Sequence, residues 1–260
     1  MTRVLILAAG EGTRLRPLTE QLPKTLVPLD GVPLLARQLA VLRRAGIHDI
    51  SVVGGHCADA LVPLGLRLFH NPAFASTNMV ASLHCARALF DGGDDVVVAY
   101  GDIVYEPRVL AALLASVAPV SVVVDRGWLS LWTLRMDEPL DDAESLKLDA
   151  QGCITELGRK PRNMADIEAQ YIGLFKVDRA FAPAFFTPYE QLAPAAKVAG
   201  RTRDRLYMTD YLQLLIDQGT TVRAAPVRHG WLELDSTQDL ARYQRALAAG
   251  ELAPLYNPAA

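Results

Sequence analysis

LILAAGEGTRLRPLTEQLPKTLVPL, Leu5 to Leu29, decides how this chain is read. An apolar run empties into two glycines, Gly10 and Gly12, followed by Arg14, Arg16 and Lys24 interleaved with Pro17, Pro23 and Pro28. A core strand needs no such mixture, whereas a polyphosphate site does. In an open parallel sheet, ligands sit beyond the carboxyl ends of strands, and Ala8-Ala9-Gly10-Glu11-Gly12-Thr13-Arg14 is such an end. Small residues let backbone N–H groups approach phosphate oxygens with no side chain in the way. Arg14 and Arg16 add forked charge, Pro17 and Pro23 stiffen the loop, and Lys24 supplies a compact positive charge. The third glycine of GxGxxG is missing and no GK[ST] follows, so neither a dinucleotide fingerprint nor a P-loop fits. The alternative is an ordinary strand-to-helix turn with solvated arginines.

Outward from this loop, the first half alternates two periodicities. RVLILA (3–8), DISVVGG (49–55), LRLF (66–69), DDVVVAYGD (94–102) and VSVVVD (120–125) read as strands, most of them buried and parallel. PLLARQLAVLRRAG (33–46), a short segment near 58–62, MVASLHCARALF (79–90) and PRVLAALLASV (107–117) read as helices. This predicts an α/β fold: a Rossmann-like, doubly wound mixed sheet with helices on both faces. After Asp125 the rhythm changes. WLSLWTLRM (128–136), SLKLD (145–149), CITELG (153–158) and AQYIGLFKV (169–177) look strand-like and predict a small antiparallel extension. YMTDYLQLLIDQG (207–219) reads as a helix, TVRAAPV (221–227) and WLELD (231–235) as strands, and TQDLARYQRALAAG (237–250) as a closing helix. Residues 183–203 carry the weakest pattern and suggest a flap. One domain over 1–260 is expected, with a first half (1–125), a second half (126–235) and the closing helix (236–250).

Composition limits the partners. The 260 residues carry 26 basic and 29 acidic side chains, a net charge of −3, which leaves no electrostatic footprint for nucleic acid or lipid. Cys57, Cys85 and Cys153 are far apart and without ligand spacing, so free thiols in a reducing compartment are expected. No apolar run is long enough for a signal peptide or a membrane helix, which predicts a cytoplasmic protein.

The opening stretch resembles the signature LAAGxGTRLxPLTxxxPKxLxP of the sugar-nucleotidyltransferase superfamily, and the resemblance continues over nearly the whole chain. It implies a GT-A-like nucleotidyltransferase in which an acceptor phosphate or phosphonate oxygen attacks the α-phosphorus of an NTP and pyrophosphate leaves. Ala8, Ala9, Gly10, Gly12, Thr13 and Gly101 are the expected nucleotide contacts, and Arg14 and Lys24 the catalytic cations. Such chemistry gathers negative charge and calls for a divalent cation, Mg2+ being suited to two carboxylates plus phosphate oxygens. GDIVY (101–105) and WLELDSTQDL (231–240) resemble the superfamily's metal-binding and closing motifs, which makes Asp102 and Asp235 the implied ligands. Glu233 shares a strand face with Asp235 and stands either behind the metal or facing the acceptor. Asp239 reads as a first-turn residue of the closing helix. The nucleophilic oxygen is already anionic, so His56, His84 and His229 are not assigned as bases.

Within the superfamily the chain looks most like the phosphocholine and phosphonate cytidylyltransferases. NPAFASTNMVASL (71–83) resembles a base-side segment that offers Asn78 and Ser82, with a helix N-cap as the alternative for Asn78. DRGWLSLW (125–132) resembles an aromatic segment over the acceptor. Trp128, Trp132, Tyr171 and Trp231 suggest a frame for an ammonium by cation–π contact, with Asp125 or Glu233 adding charge; ordinary core tryptophans are the alternative. GRKP (158–161) resembles the segment whose lysine reaches the acceptor phosphate, giving that role to Lys160, although Arg159 stands where a glutamate is usual. Asp210, in a loosely matching RLYMTDYL (205–212), either faces the acceptor or solvates a helix. The implied substrates are an NTP, CTP foremost, and a small phospho- or phosphonoalkyl acceptor; oligomeric state is left open. A sugar-1-phosphate nucleotidyltransferase and a non-catalytic nucleotide sensor are the competing readings. A MobA-like guanylyltransferase would share the glycine loop but not be expected to keep the PLTxxxPK spacing.

Overall fold

The alternating apolar and amphipathic segments assemble as the periodicities predict, in a computed structural model that describes residues 2–258. In chain order the principal elements are β1 (Thr2–Ala8), α1 (Leu34–Arg44), β2 (Ile50–Gly54), β3 (Arg67–His70), α2 (Met79–His84), β4 (Asp95–Tyr100), β5 (Ile103–Tyr105) and α3 (Pro107–Ala115). They continue with β6 (Val120–Asp125), α4 (Trp128–Arg135), β7 (Leu146–Leu148), β8 (Ile154–Leu157), β9 (Gln170–Val177), α5 (Met208–Asp217), β10 (Val222–Val227), β11 (Trp231–Glu233) and α6 (Thr237–Ala249). Seven strands pair in the order β10-β6-β9-β4-β1-β2-β3. All pairs are parallel except those of β9, which runs antiparallel to both β4 and β6.

Strand alternation divides the core in two. Val4, Ile6 and Ala8 face one layer with α1, α3, α4 and α6. Leu5, Leu7 and Ala9 face the other, with α2, α5 and the aromatic cluster of Phe185, Phe186 and Tyr189. Each helix buries one stripe, as α1 does with Leu34, Leu35, Gln38, Leu39, Val41 and Leu42. A sheet covered on both faces needs strands that are apolar throughout, and VLILA and VVVA meet that requirement.

The antiparallel extension is present as β7 paired with β8. A second pair, β5 with β11, couples the chain just past Asp102 to the chain just before Asp235, with Glu233 opposite Ile103. One expectation fails. Residues 128–136 form helix α4 instead of a strand. Trp128, Leu131, Trp132 and Arg135 are its buried residues, at i, i+3, i+4 and i+7, a helical stripe that the local Leu–Ser–Leu alternation disguises. Residues 183–203 are better ordered than their pattern suggests, with a helical turn at Thr187–Gln191 and a short hairpin pairing Lys197–Val198 with Arg201–Thr202. Phe185 and Tyr189 anchor that stretch in the core.

Candidate active site

β1 and β4 are adjacent parallel strands, so their carboxyl ends open on the same edge. There the glycine loop follows β1, and Gly101-Asp102 follows β4. Gly12 adopts a left-handed φ of 60°, and a Cβ on it would press on Thr19 and Lys24 at 3.1 and 3.2 Å. The Thr19 hydroxyl donates to the Gly12 carbonyl at 2.7 Å, which fixes the loop. Gly101 packs against β1 so closely that a Cβ would stand 2.6 Å from the Leu7 carbonyl oxygen. Its N–H donates to that same oxygen at 2.8 Å. Buried Gln38 of α1 braces the turn, its Nε2 donating to the carbonyls of Tyr100 and Ile103 at 2.9 and 2.7 Å.

Asp102 and Asp235 are 133 positions apart in sequence, yet the β5–β11 pair delivers them to one point, with Leu234 N–H donating to the Asp102 carbonyl at 2.9 Å. Lys24 Nζ lies between them, 2.7 Å from Asp102 Oδ2 and 2.6 Å from Asp235 Oδ1. Arg14 Nη2 reaches Asp235 Oδ2 at 2.5 Å from the solvent side, being 67% exposed. Burial works to lower the Lys24 pKa, but Asp102, Asp235 and Glu233 outweigh it and hold the ammonium well above its usual value. For Asp235, burial opposes ionisation while Lys24 and Arg14 draw its pKa below the usual carboxylate range.

The Asp235 loop is held from below. Asp239 Oδ2 accepts the N–H groups of Asp235 and Ser236 at 3.0 and 2.9 Å, and Ser236 Oγ accepts the Asp239 N–H at 3.1 Å, a closed capping box at the start of α6. Buried Arg135 of α4 then binds Asp239 at 3.3 Å and Glu233 at 2.6 Å. Burial foremost, with Asp102 and Asp235 adding to it against the opposing pull of Arg135, pushes the Glu233 carboxyl up to about 7.

Two cavities meet at this point. The first, about 250 Å³, is lined by all eight residues expected to contact nucleotide: Ala8, Ala9, Gly10, Gly12, Thr13, Asn78, Ser82 and Gly101. Arg14, Lys24, Asp102 and Asp235 complete it, together with Phe74, Thr77, Met79 and Tyr100. Asn78 lines this cavity and also caps α2, its Oδ1 accepting the Met79 N–H at 2.8 Å. Ser82 Oγ is oriented by Asn71 Nδ2 at 2.9 Å. The second cavity, about 360 Å³, holds Trp132, Tyr171, Trp231 and Glu233 with Glu144, Gln170 and Thr209. Arg14, Met79, Tyr100, Asp102 and Asp235 line both cavities and form their common wall.

Residues 4–153 match the family model of the MobA-like NTP transferase domain. The chain belongs to that family. It is a nucleotidyltransferase. The PLTEQLPK spacing of residues 17–24 lies within the matched segment, so that spacing does not set the chain outside the MobA-like proteins. A CTP:phosphoglutamine cytidylyltransferase of Campylobacter jejuni is 36% identical over 245 residues, which cover 91% of this chain and 96% of that one. A 2-aminoethylphosphonate cytidylyltransferase of Lancefieldella rimae is 33% identical over 97 residues, 35% of this chain and 39% of that one. A CTP:phosphocholine cytidylyltransferase structure from Streptococcus pneumoniae superposes with a TM-score of 0.70 at 22% identity, covering 95% of this chain and 99% of that one, a likeness of fold. The expected kinship with the phosphocholine and phosphonate enzymes, and the mixed α/β fold, are thus found.

Within this MobA-like transferase, four expected residues lie away from the second cavity. Trp128 does not line it; it packs edge-on behind Trp132, ring centroids 5.7 Å apart. Asp210 closes the capping box of α5, accepting the Tyr207 N–H at 2.9 Å, and pairs with Arg201 at 3.1 Å. Lys160 lines neither cavity and donates to the carbonyls of Leu140 and Asp141 at 2.5 and 2.8 Å, tying the 158–161 turn to the 139–141 segment. Asp125 is fully buried and accepts from Gly127 N–H, His229 N–H and Trp231 Nε1, so it fixes Trp231 in place of meeting a ligand. The histidines are engaged elsewhere: His56 with the Thr19 carbonyl, His84 with Glu190 and His229 beside Asp125. The sequence reading missed Gln38, Asn71 and Glu144. Gln38 and Asn71 act through main-chain and hydroxyl contacts that leave no periodic signal, and Glu144 sits in the acidic run DDAES, which resembles a solvated turn.

Proposed function

We propose that the chain is a magnesium-dependent cytidylyltransferase that transfers CMP from CTP to a phosphate or phosphonate oxygen of a small acceptor. The common wall of the two cavities carries this reading: Arg14, Asp102 and Asp235 stand where a nucleotide in one cavity would meet an acceptor in the other. The acceptor oxygen forms a bond to the α-phosphorus, the bond from that phosphorus to the β-bridging oxygen breaks, and the electron pair leaves with pyrophosphate. The incoming oxygen is anionic near neutral pH, so the side chains need only position the groups and offset charge. Backbone N–H groups of the Gly10–Gly12 loop and the cations Arg14 and Lys24 are the complement to a triphosphate.

Asp102 and Asp235 fit a magnesium ion. Two carboxylates converge, and Asp102 Oδ1 is buried with no hydrogen-bond partner. Magnesium takes one or two carboxylates and fills the rest of its sphere with phosphate oxygens and water. Magnesium, when bound, would neutralise phosphate charge and withdraw electron density from the reacting phosphorus. Lys24 Nζ fills the space between the carboxylates, so a cation held by them would displace its ammonium.

The choice of CTP and of a phosphorylated or phosphonate acceptor is supported by the relatives, whose names include CTP, phosphoglutamine and 2-aminoethylphosphonate. The test is a matrix of nucleoside triphosphates against phosphoglutamine, phosphocholine, 2-aminoethylphosphonate and hexose 1-phosphates, read by pyrophosphate release. Turnover confined to a hexose 1-phosphate overturns the acceptor class. Tight nucleotide binding with pyrophosphate from no pair would make the chain a sensor.

A further inference from the structure

The second cavity offers little open aromatic surface. Trp128, Trp132 and Trp231 are 6%, 4% and 2% exposed, packed against one another. The Arg135 guanidinium already lies 5.4 Å from the Trp132 ring centroid. Arg201 occupies a face of Tyr207 at 4.0 Å, and Tyr171 meets the edge of Tyr100. A quaternary ammonium needs free ring faces around it, and these rings are floor and wall.

Among the described carboxylates lining this cavity, Glu144 and the exposed Asp142 form no ion pair, and Glu144 is the one that is half-buried. Its main chain is gripped by buried Gln170, whose Oε1 accepts the Glu144 N–H at 3.1 Å and whose Nε2 donates to the Glu144 carbonyl. Its Oε1 accepts the Thr209 hydroxyl at 3.3 Å. Among the described residues it forms no ion pair. Nearby Arg201 is committed to Asp210, while Asp142 and Asp210 add like charge. Burial first, then those two carboxylates, push the Glu144 carboxyl up to about 7 against the pull of Thr209 and Arg201. A half-buried carboxyl in this state gains most from a ligand that brings both positive charge and N–H donors.

We propose that Glu144 is the specificity residue for the far end of the acceptor, and that this end carries a primary ammonium group in place of a quaternary one. The inference rests on the second cavity being the acceptor side of the cytidylyl transfer. The ammonium donates N–H bonds to the Glu144 carboxylate while the acceptor's phosphate or phosphonate faces the common wall at Arg14, Asp102 and Asp235. Thr209 holds the carboxylate in register, and Trp132, Tyr171 and Trp231 bound the alkyl segment.

The test compares 2-aminoethyl phosphate, phosphocholine and propyl phosphate, which share a phosphate and differ at the far end. Pyrophosphate release gives kcat and KM, and calorimetry with a non-hydrolysable CTP analogue gives binding without turnover. The native enzyme is expected to prefer 2-aminoethyl phosphate over each of the others by at least about tenfold in kcat/KM, carried by KM. Glu144→Gln, which keeps the shape, should abolish the preference over propyl phosphate, and Thr209→Val should weaken it by less. Preference for phosphocholine, or an amine-to-propyl ratio unchanged in Glu144→Gln, overturns the inference. If no acceptor of the panel releases pyrophosphate, the transfer reading fails for this class, and the calorimetric ratio still decides whether Glu144 selects a primary ammonium.

Discussion

Lys24→Met isolates the charge balance at the reacting centre. The lysine ammonium contacts Asp102 and Asp235 at 2.7 and 2.6 Å, and the three side chains are only 15%, 17% and 13% exposed. Removing one partner of a buried pair costs about 3–5 kcal/mol, because the remaining charge is left uncompensated. Arg14 stays on Asp235 at 2.5 Å, and each carboxylate keeps some contact with water, so the low end, about 3 kcal/mol, is the expected loss. For a chain of this size each kcal/mol moves Tm by about 2–4 °C, giving a fall of about 6–12 °C in EDTA. Magnesium should then separate the two proteins. In the native protein the ion must displace an ammonium to reach the carboxylates, so magnesium alone shifts Tm little. In Lys24→Met the carboxylates are open to the ion, and at about a hundred times Kd it returns about 2.7 kcal/mol, most of what was lost. Thermal unfolding of both proteins in EDTA and in saturating magnesium, without nucleotide, reads this directly. Equal magnesium shifts in the two proteins, or no loss of stability in EDTA, would refute both the lysine bridge and the assignment of Asp102 and Asp235 to the metal.

Three further outcomes are expected. Asp102→Ala and Asp235→Ala should keep the fold by circular dichroism yet lose at least about a hundredfold in kcat, read by pyrophosphate release; near-native turnover in magnesium would remove the metal assignment. Gly101→Ala should destabilise by more than about 2 kcal/mol in urea unfolding, because its Cβ would lie 2.6 Å from the Leu7 carbonyl, and β1 and β4 must move apart to admit it; an unchanged urea midpoint would contradict that packing. Glu144, raised by burial from 4.5 to about 7 in the fold, binds more protons folded than unfolded between those values. Its contribution to stability is therefore full below about 4.5 and is lost as pH rises through about 7. Glu144→Gln should reduce the slope of that part of the pH–stability curve, with Glu233, also raised to about 7, supplying the remainder, and a slope unchanged from the native protein would count against the half-buried carboxyl.

Much of the site was readable because its parts are local. The glycine loop with Arg14 follows the end of β1 and Gly101-Asp102 follows the end of β4, and strand ends in a parallel sheet converge whatever the loops do. Ala8, Ala9, Gly10, Gly12, Thr13 and Gly101 line one cavity for that reason, and the start of α2 adds Asn78 and Ser82 to it. The acceptor side was read less well. Trp128 and Asp210 satisfy a motif by residue type, but α4 turns Trp128 behind Trp132 and the start of α5 takes Asp210 as a cap. Lys160 keeps the motif position and spends its ammonium on two carbonyls.

The sequence by itself determined the strand rhythm, the loop chemistry and the kinds of charge available, because these depend on neighbours within a few residues and on periods of two and 3.6. Only the tertiary structure decided which charges meet. Asp102 and Asp235 face one lysine because β5 pairs with β11 in a single register. Glu144 is left without a cation because Arg201 goes to Asp210. Those outcomes turn on distances of a few ångströms between segments far apart in the chain, and Coulomb and hydrogen-bond energies fall off over that same range.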